Sequence, residues 1–288
     1  MKMAFSTLAC PEWSIEQIIE AACAYGYHGV ELRGWRGEVR LWKLPEFTSQ
    51  AEQTAERFRR AGLEICCLGS SANLDPTANR RLSDMEEVVQ CIQICHQMNI
   101  PILRIFGGAP ENRPHHEHIE MAAQMLTQIA AMAGPVTVAF ETHGAHSQSR
   151  LVSEILQHAK APNITALWDL HNPYRLKAES PAETDANIGR LTGHTHVKDS
   201  RLLAGGGFTY TLPGEGDVPL GEMIGLLKQR GYDGYLSVEW EKHWVPALAG
   251  PEVSLPAHAA FLRRWCVAAA AGQYIGQDAL AERPAASP

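Results

Sequence analysis

The sequence predicts a single (β/α)8 barrel, and three observations carry that expectation. Short apolar runs of β character alternate with helical periodicity eight times; 288 residues over eight units gives about 36 each. The last four runs each deliver a metal-ligating side chain at the end, namely Glu141, Asp169, His196 and Glu239. The first run is followed by Leu8-Ala-Cys-Pro11, not by the glycine-rich phosphate turn of a doubly wound sheet.

The elements follow in order. Met3 to Thr7 reads as the first strand. Ser14 caps a helix whose Ile15, Ile18, Ile19 and Ala22 recur at helical spacing, and Gly26 stops it. Tyr27 to Leu32 is the second strand. A helix is expected from Pro45 to Ala61, ended by Gly62, then a third strand from Leu63 to Leu68 and a loop from Gly69 to Pro76. Ser83 to Met98 reads as a helix with Asp84 and Glu86 in its first turn, which suits the helix dipole. Ile102 to Phe106 is the fourth strand, and His115 to His118 a histidine-rich loop. Val136 to Glu141, Ile164 to Asp169, Leu191 to His196 and Tyr235 to Glu239 are strands five to eight. Helices are expected at Ser147–Ala159, Leu220–Arg230 and Leu255–Ala270. No linker divides the chain, so residues 1–272 form one domain and 273–288, rich in Ala and Pro without periodicity, a tail.

Composition narrows the function. A net charge of −7 argues against a nucleic-acid partner, because the basic footprint that phosphates demand is missing. The arginine pairs at 59–60, 80–81 and 263–264 read as solvated helix faces. Seven cysteines, an odd number with no Cys-x-x-Cys, read as small buried hydrophobes in a reducing, cytoplasmic setting. The apolar stretch at the N-terminus is too short for a signal peptide, and no run approaches a membrane span. A small-molecule substrate, in a monomer or a homo-oligomer, is the partner expected.

The stretch Leu191-Thr-Gly-His-Thr-His-Val-Lys-Asp-Ser200 concentrates the chemistry. Alternate residues of a strand share a face, so His194, His196 and Lys198 point the same way. Polar groups so placed call for a partner, anionic or metallic. Active sites of such barrels lie at the C-terminal strand ends. Three carboxylates beside an imidazole repel one another without a cation. Their mixed O/N donors suit a divalent ion such as Mn2+, with Zn2+, Co2+ and Mg2+ also compatible.

The motifs Glu141-Thr-His, Trp168-Asp-Leu-His-Asn-Pro-Tyr-Arg175, His194-Thr-His-Val-Lys-Asp199 and Val238-Glu-Trp-Glu resemble the xylose-isomerase-like superfamily of sugar isomerases and epimerases. Gly29-Val-Glu-Leu, Pro213-Gly-Glu-Gly-Asp217 and Gly231-Tyr-Asp-Gly extend the likeness across the barrel. The resemblance implies one catalytic metal held by Glu141, Asp169, His196 and Glu239. Many relatives carry Asp-x-x-His on the sixth strand. Here Asn172 takes that histidine's place, preceded by His171, and an amide cannot transfer protons. In this setting Glu141 and Glu239 are the expected acid and base on opposite faces of a carbon next to a carbonyl, which the metal polarises, so that an enediolate forms. Epimerisation needs two bases and isomerisation one. His143, His171, Asn172, Lys198 and Arg201 are candidate substrate contacts. Trp35, Trp42 and Trp244 are candidates for an apolar wall. Arg104 and Glu31, also at strand ends, read equally well as core ion pairs.

Two other enzyme classes compete, one on the same ligand set and one that shares only the barrel. A dehydratase of a keto-inositol or dehydroshikimate-like substrate starts with the same proton removal. An abasic-site endonuclease needs a trinuclear zinc cluster and a basic surface, and the acidic balance and Asn172 argue against it. A barrel that binds a ligand without catalysis leaves four aligned ligand ends without a purpose.

Overall fold

The computed structural model describes residues 1–74, 78–108 and 114–266. Eight parallel strands close a barrel. They are β1 (Lys2–Ser6), β2 (Gly29–Leu32), β3 (Glu64–Leu74), β4 (Ile102–Gly107), β5 (Thr137–Glu141), β6 (Ile164–Asp169), β7 (Thr192–Val197) and, after a hairpin, β10 (Tyr235–Val238). β10 hydrogen-bonds both β7 and β1, which closes the ring. The hairpin pairs β8 (Asp199–Leu202) with β9 (Phe208–Thr211) in antiparallel fashion outside the barrel. The helices are α1 (Ile15–Tyr25), α2 (Ala51–Arg60), α3 (Ala78–Met98), α4 (His115–Ala133), α5 (Ser149–His158), α6 (Asn172–Lys177), α7 (Pro181–Ile188), α8 (Leu220–Gln229) and α9 (Pro251–Leu262). No helix among the described residues is long and apolar enough to cross a membrane.

The local chemistry explains the elements. Ser14 and Gln17 form a reciprocal capping box at the start of α1, and Gly26, with φ +74°, ends it in the left-handed conformation glycine tolerates. Ile15, Ile18, Ile19 and Ala22 bury one helix face, as their spacing predicts. The strands are buried on both faces, which is why they read as continuous apolar runs. Phe5, Phe140, Trp168 and Leu236 lie wholly inside. Each large apolar side chain so buried contributes roughly 1.5–3 kcal/mol.

Several boundaries differ from the sequence-based expectation. β3 runs on to Leu74 where a loop was expected from Gly69. Ser71 and Asn73 look loop-like, but they alternate with buried Ala72 and Leu74, and the strand still pairs with β4 at Asn73 and Leu74. The expected helix from Pro45 splits into a 3-10 turn, Pro45–Phe47, and α2. α3 starts at Ala78, before Ser83. His115 to His118 form the first turn of α4, not a loop. Two helices, α6 and α7, stand between β6 and β7 where the sequence signalled none. The last helix spans Pro251–Leu262, four residues earlier in its start than expected. The expected tail, 273–288, lies outside the described residues. All seven cysteines are free, and five are buried.

The register sets up the site. β6 and β7 align Asp169 with His196, and β7 and β10 align His196 with Ser237. Glu239 lies two residues beyond Ser237, so the pleat returns it to the inner face one layer up.

Candidate metal centre

Glu141 closes β5, Asp169 closes β6, His196 is the penultimate residue of β7, and Glu239 follows β10. One ligand atom from each lies within 4.8 Å of the others. The Nδ1 of His196 faces Glu141 Oε1 at 3.1 Å and Glu239 Oε1 at 3.4 Å. All four residues are buried.

A set of outer partners holds these groups. The Nε2–H of His196 donates to Glu31 Oε1 at 2.9 Å, so Glu31 fixes the ring and turns Nδ1 toward the carboxylates. His194 Nε2 and Ser237 Oγ donate to the other oxygen of Glu31, each at 2.8 Å. Asp169 is held by the amides of His171 and Asn172 on Oδ1, and by the Asn172 side chain on Oδ2 at 2.9 Å. Lys198 Nζ reaches Asp169 Oδ2 at 2.8 Å, Glu239 Oε2 at 2.5 Å and Glu241 Oε1 at 2.9 Å. Arg104 Nε lies 3.3 Å from Glu141 Oε2.

Electrostatics follows from this crowding. Burial alone would raise Glu239, but the charges of His196 and Lys198 outweigh it and hold the carboxyl well below its usual range. Burial likewise works against ionised Glu141, and His196 and Arg104 overcome it. Glu31 is held far down by His196 and by its two histidine hydrogen bonds, again against burial. Burial pushes Asp169 up, against the pull of Lys198. Burial opposes a charge on His196, yet Glu239, Glu31 and Glu141 around it raise its pKa well above the usual histidine value.

A cavity of about 390 Å³ opens beside Glu239 at the barrel mouth. Glu241, Arg33, Arg104, His143, Tyr210 and Trp244 are among its walls. A larger cavity, about 480 Å³, lies at the other end of the barrel, around Asn99, Pro101 and Pro135. It has none of the four residues Glu141, Asp169, His196 and Glu239, so size alone does not mark the candidate site. A second group of ligand types, Glu31, Cys67 and His194, lies in the barrel interior. There Glu31 and His194 already satisfy each other, and burial keeps the Cys67 thiol protonated by pushing its pKa well up.

The other expected substrate contacts are placed as follows. His143 is exposed and stands over Phe106 at 4.3 Å on the cavity wall. Lys198 spans two of the four ligand residues. Asn172 does not face the cavity; its amide orients Asp169 and donates to the carbonyl of Thr142. His171 bonds Ser200 at 2.9 Å and packs against Phe208 and Tyr210, and burial lowers its pKa to about 3, so it is neutral. Arg201 is exposed on the hairpin and donates to the carbonyl of Glu215. Trp35 packs in the core against Phe47, and Trp42 is half-buried with Lys43 over its ring, whereas Trp244, 53% exposed, lines the cavity. Sequence reasoning undervalued Glu31 and Arg104 and passed over Arg33 and Tyr210. The alternation that aligns His194, His196 and Lys198 also sends Glu31 and Arg33 inward, so that signal was present. No sequence signal singles out Tyr210.

The donor set fits a divalent ion. Five carboxylates in and beside the centre, namely Glu31, Glu141, Asp169, Glu239 and Glu241, meet three permanent cations, Arg33, Arg104 and Lys198. Glu141 Oε2 is buried and accepts no hydrogen bond among the described residues. A hard cation would use that oxygen and supply the missing positive charge.

Solved structures share the architecture. The chain superimposes on the probable 3-DHS dehydratase AsbF of Bacillus anthracis with a TM-score of 0.74 at 18% identity, covering 91% of this chain and 99% of that one. For the IOLI protein with a binding zinc atom the TM-score is 0.76 at 18% identity, covering 92% and 98%. Over 79 residues the chain is 34% identical to fructoselysine 3-epimerase of Escherichia coli O157:H7. That segment is 27% of this chain and 27% of the relative, about a quarter of its length. The match to the family model is far broader, running from residue 19 to residue 265, and by it the chain belongs to the xylose isomerase-like TIM barrel family.

Proposed function

We propose that the chain is a divalent-metal-dependent epimerase or isomerase of a sugar, keto-sugar or related polyol. One observation carries the reading: four ligand atoms, from Glu141, Asp169, His196 and Glu239, converge within 4.8 Å beside a cavity at the C-terminal mouth of the barrel. The 79-residue likeness to a sugar 3-epimerase supports the same class. These four residues would hold the ion, with Mn2+ favoured by the oxygen-rich set. When bound, the ion supplies Lewis-acid polarisation of a substrate oxygen and offsets the carboxylate charge.

The chain's own groups do the proton work. Glu239 lines the cavity and is ionised, so it can accept a proton from the carbon next to a carbonyl. Glu141, ionised and more deeply buried, approaches from the β5 side and is the second group. Return of the proton to the same carbon from the other face gives epimerisation, and transfer to the neighbouring carbon gives isomerisation. Lys198 holds Glu239 in place and keeps its proton, since Asp169, Glu239 and Glu241 together overcome burial and raise its pKa well above the usual value. Trp244, Val245 and Leu8 give the cavity an apolar rim that limits water.

The test is proton exchange. The Mn2+-loaded chain is incubated with a panel of ketoses in D2O, and products are read by NMR. Deuterium at the carbon next to the carbonyl, lost on chelation and restored by Mn2+, is the expected result. Conversion without exchange, in a chain that also transfers no proton internally between isotopically labelled carbons, would remove the mechanism. A product with new ultraviolet absorbance would move the chain to the dehydratases, which share the first step.

A further inference from the structure

One wall of the cavity is built on two guanidinium groups. Arg33 follows β2 and Arg104 belongs to β4, and the two cross above Gly69 of β3. A side-chain carbon at Gly69 would come within 2.6 Å of Arg33 Cδ and 2.8 Å of Arg104 Nη2, so only glycine leaves room for the pair. Arg33 is 5% exposed and Arg104 1%. Yet Nη1 of Arg33, and Nε and Nη1 of Arg104, have no hydrogen-bond partner among the described residues. The 3.3 Å approach of Arg104 to Glu141 is an ion pair without hydrogen-bond geometry. The ring of Phe106, 3.7 Å from Arg104 Cζ, fixes the plane of that guanidinium.

Two like charges side by side, with buried N–H groups unused, are costly unless an acceptor of opposite charge meets them. The nearby carboxylates leave these N–H groups without hydrogen bonds: Glu141 Oε1 faces His196 while its Oε2 approaches Arg104 only as an ion pair, Glu239 faces His196 and Lys198, and Glu87 accepts from the Ser71 amide. The charges of the mouth are also sorted by side. The guanidinium wall comes from neighbouring strands β2 to β4, and the four ligand residues come from β5, β6, β7 and β10. A hydroxyl can accept one such N–H but does nothing for the repulsion between the guanidiniums. A carboxylate or a phosphate does both, because its paired oxygens match the arginine fork.

We propose that Arg33 and Arg104 form a binding fork for an anionic group of the substrate, a carboxylate or a phosphate, so that the substrate is a sugar acid or a sugar phosphate and not a neutral sugar. This names the substrate class for the site read above as a sugar epimerase or isomerase and rests on that reading. The anionic end sits on the guanidinium wall while the remainder of the molecule reaches toward Glu239. The apolar rim, including Trp244, lowers the local dielectric and strengthens the contact.

Calorimetry with three probes of one carbon skeleton tests this: xylitol, xylonate and xylitol 5-phosphate. Each is titrated into the full chain loaded with Mn2+ and into the same chain stripped of metal. One or both anions are expected to bind about 10- to 100-fold more tightly than xylitol in both forms, the range of charge-assisted hydrogen bonds. Which anion binds better identifies the group. Arg33→Gln is expected to abolish the preference while keeping Mn2+ content and melting temperature. Arg33→Lys, which keeps the charge and loses the fork, should retain part of it. Equal binding of all three probes overturns the proposal. So does an unchanged preference in Arg33→Gln, or a preference seen with Mn2+ and absent without it, since the metal would then hold the anion. If Arg33→Gln fails to fold, Arg104→Lys and Arg33→Lys carry the comparison, and undiminished preference in both overturns it. A chain that binds no Mn2+ would remove the epimerase reading yet leave the stripped-chain comparison to decide the fork.

Discussion

Glu31 is the group whose removal tests the centre most sharply, because it is not among the cavity's lining residues and reaches the centre through His196. It accepts three hydrogen bonds, from His196 Nε2 at 2.9 Å, His194 Nε2 at 2.8 Å and Ser237 Oγ at 2.8 Å. In Glu31→Gln the size stays and one oxygen becomes an NH2. That NH2 must face a group that is itself a donor, so at least one charge-assisted bond is lost, about 1.5–3 kcal/mol. If the bond lost or weakened is the one to His196, the ring is no longer pinned with Nδ1 toward Glu141 and Glu239. Loss of such an outer partner typically lowers metal affinity about 10- to 100-fold. Competition titration of Mn2+ or Zn2+ against a chelating dye measures that change.

The same loss appears in melting. Metal binding to the folded chain alone adds RT ln(1 + [M]/Kd), so a 100-fold weaker Kd removes about 2.7 kcal/mol of metal-conferred stability at saturating ion. Ser237→Ala is the control. It takes one neutral donor from Glu31 and leaves both histidine bonds, so metal affinity should stay within about threefold. Wild-type affinity in Glu31→Gln refutes the claim that Glu31 orients the ligand. An equal loss in Ser237→Ala refutes it too, because the effect would then be general loosening of the core.

Three further outcomes are expected. Glu239→Gln keeps an oxygen for the ion and cannot accept a proton, so turnover of an established substrate should fall by about 10²–10⁴-fold while part of the metal stays bound, read by paired kinetics and metal analysis. His258, buried against Trp240, has its pKa lowered by burial to about 4, below the value near 6.5 expected in the unfolded chain. Between these values the unfolded chain binds the extra proton, so His258's contribution is intact above about pH 6.5 and is lost as pH falls, about 2 kcal/mol by pH 5; denaturant melts of His258→Gln should show an acid limb shallower by about one proton. Burial raises the thiol pKa of all seven cysteines, and only Cys23 and Cys266 are half-buried and within reach of solvent, so a thiol reagent at pH 8 should label at most those two in the folded chain and all seven quickly after unfolding.

The parts of the molecule legible in the sequence are those governed by a local period. Runs such as Val136 to Phe140 are apolar throughout because both strand faces are buried, and the acidic residue that ends each run stands out against them. That contrast, repeated at Glu141, Asp169 and Glu239, marked the strand ends before any geometry was known. The hairpin β8–β9 was invisible for the opposite reason. Its buried residues, Asp199 and Ser200, are polar while Leu202 is exposed, so no apolar face shows, and Gly205-Gly206-Gly207 reads as a plain loop. α6 and α7 are six and eight residues long, too short for a helical period to show. Arg33 and Arg104 were hidden by ambiguity. A lone arginine in an apolar strand signals an ion pair as well as a binding group, and only the pairing of β2 and β4 on either side of β3 brings the two together over Gly69.

Charge balance links these pieces. Asp169 has both oxygens engaged, by two amides on Oδ1 and by Asn172 and Lys198 on Oδ2. Glu239 gives Oε2 to Lys198, and Glu141 keeps Oε2 without a hydrogen bond. A cation would find Glu141 Oε2 without a hydrogen bond, though beside Arg104, and would compete with Lys198 for Asp169 Oδ2 and Glu239 Oε2. Without it, burial opposes a charge on His196, and Glu239, Glu31 and Glu141 outweigh burial and raise its pKa well above the usual value, which favours a proton on the ring. A metal at Nδ1 must displace that proton, so ion binding and imidazole ionisation exclude each other. Asn172 belongs to the same economy of charge. At that position a histidine would bring a titratable group against Asp169, whereas the amide donates to Asp169 Oδ2 without ever changing its charge. The candidate site thus orients Asp169 and His196 through buried hydrogen bonds, and sets Glu239 beside Lys198 and Glu141 beside Arg104.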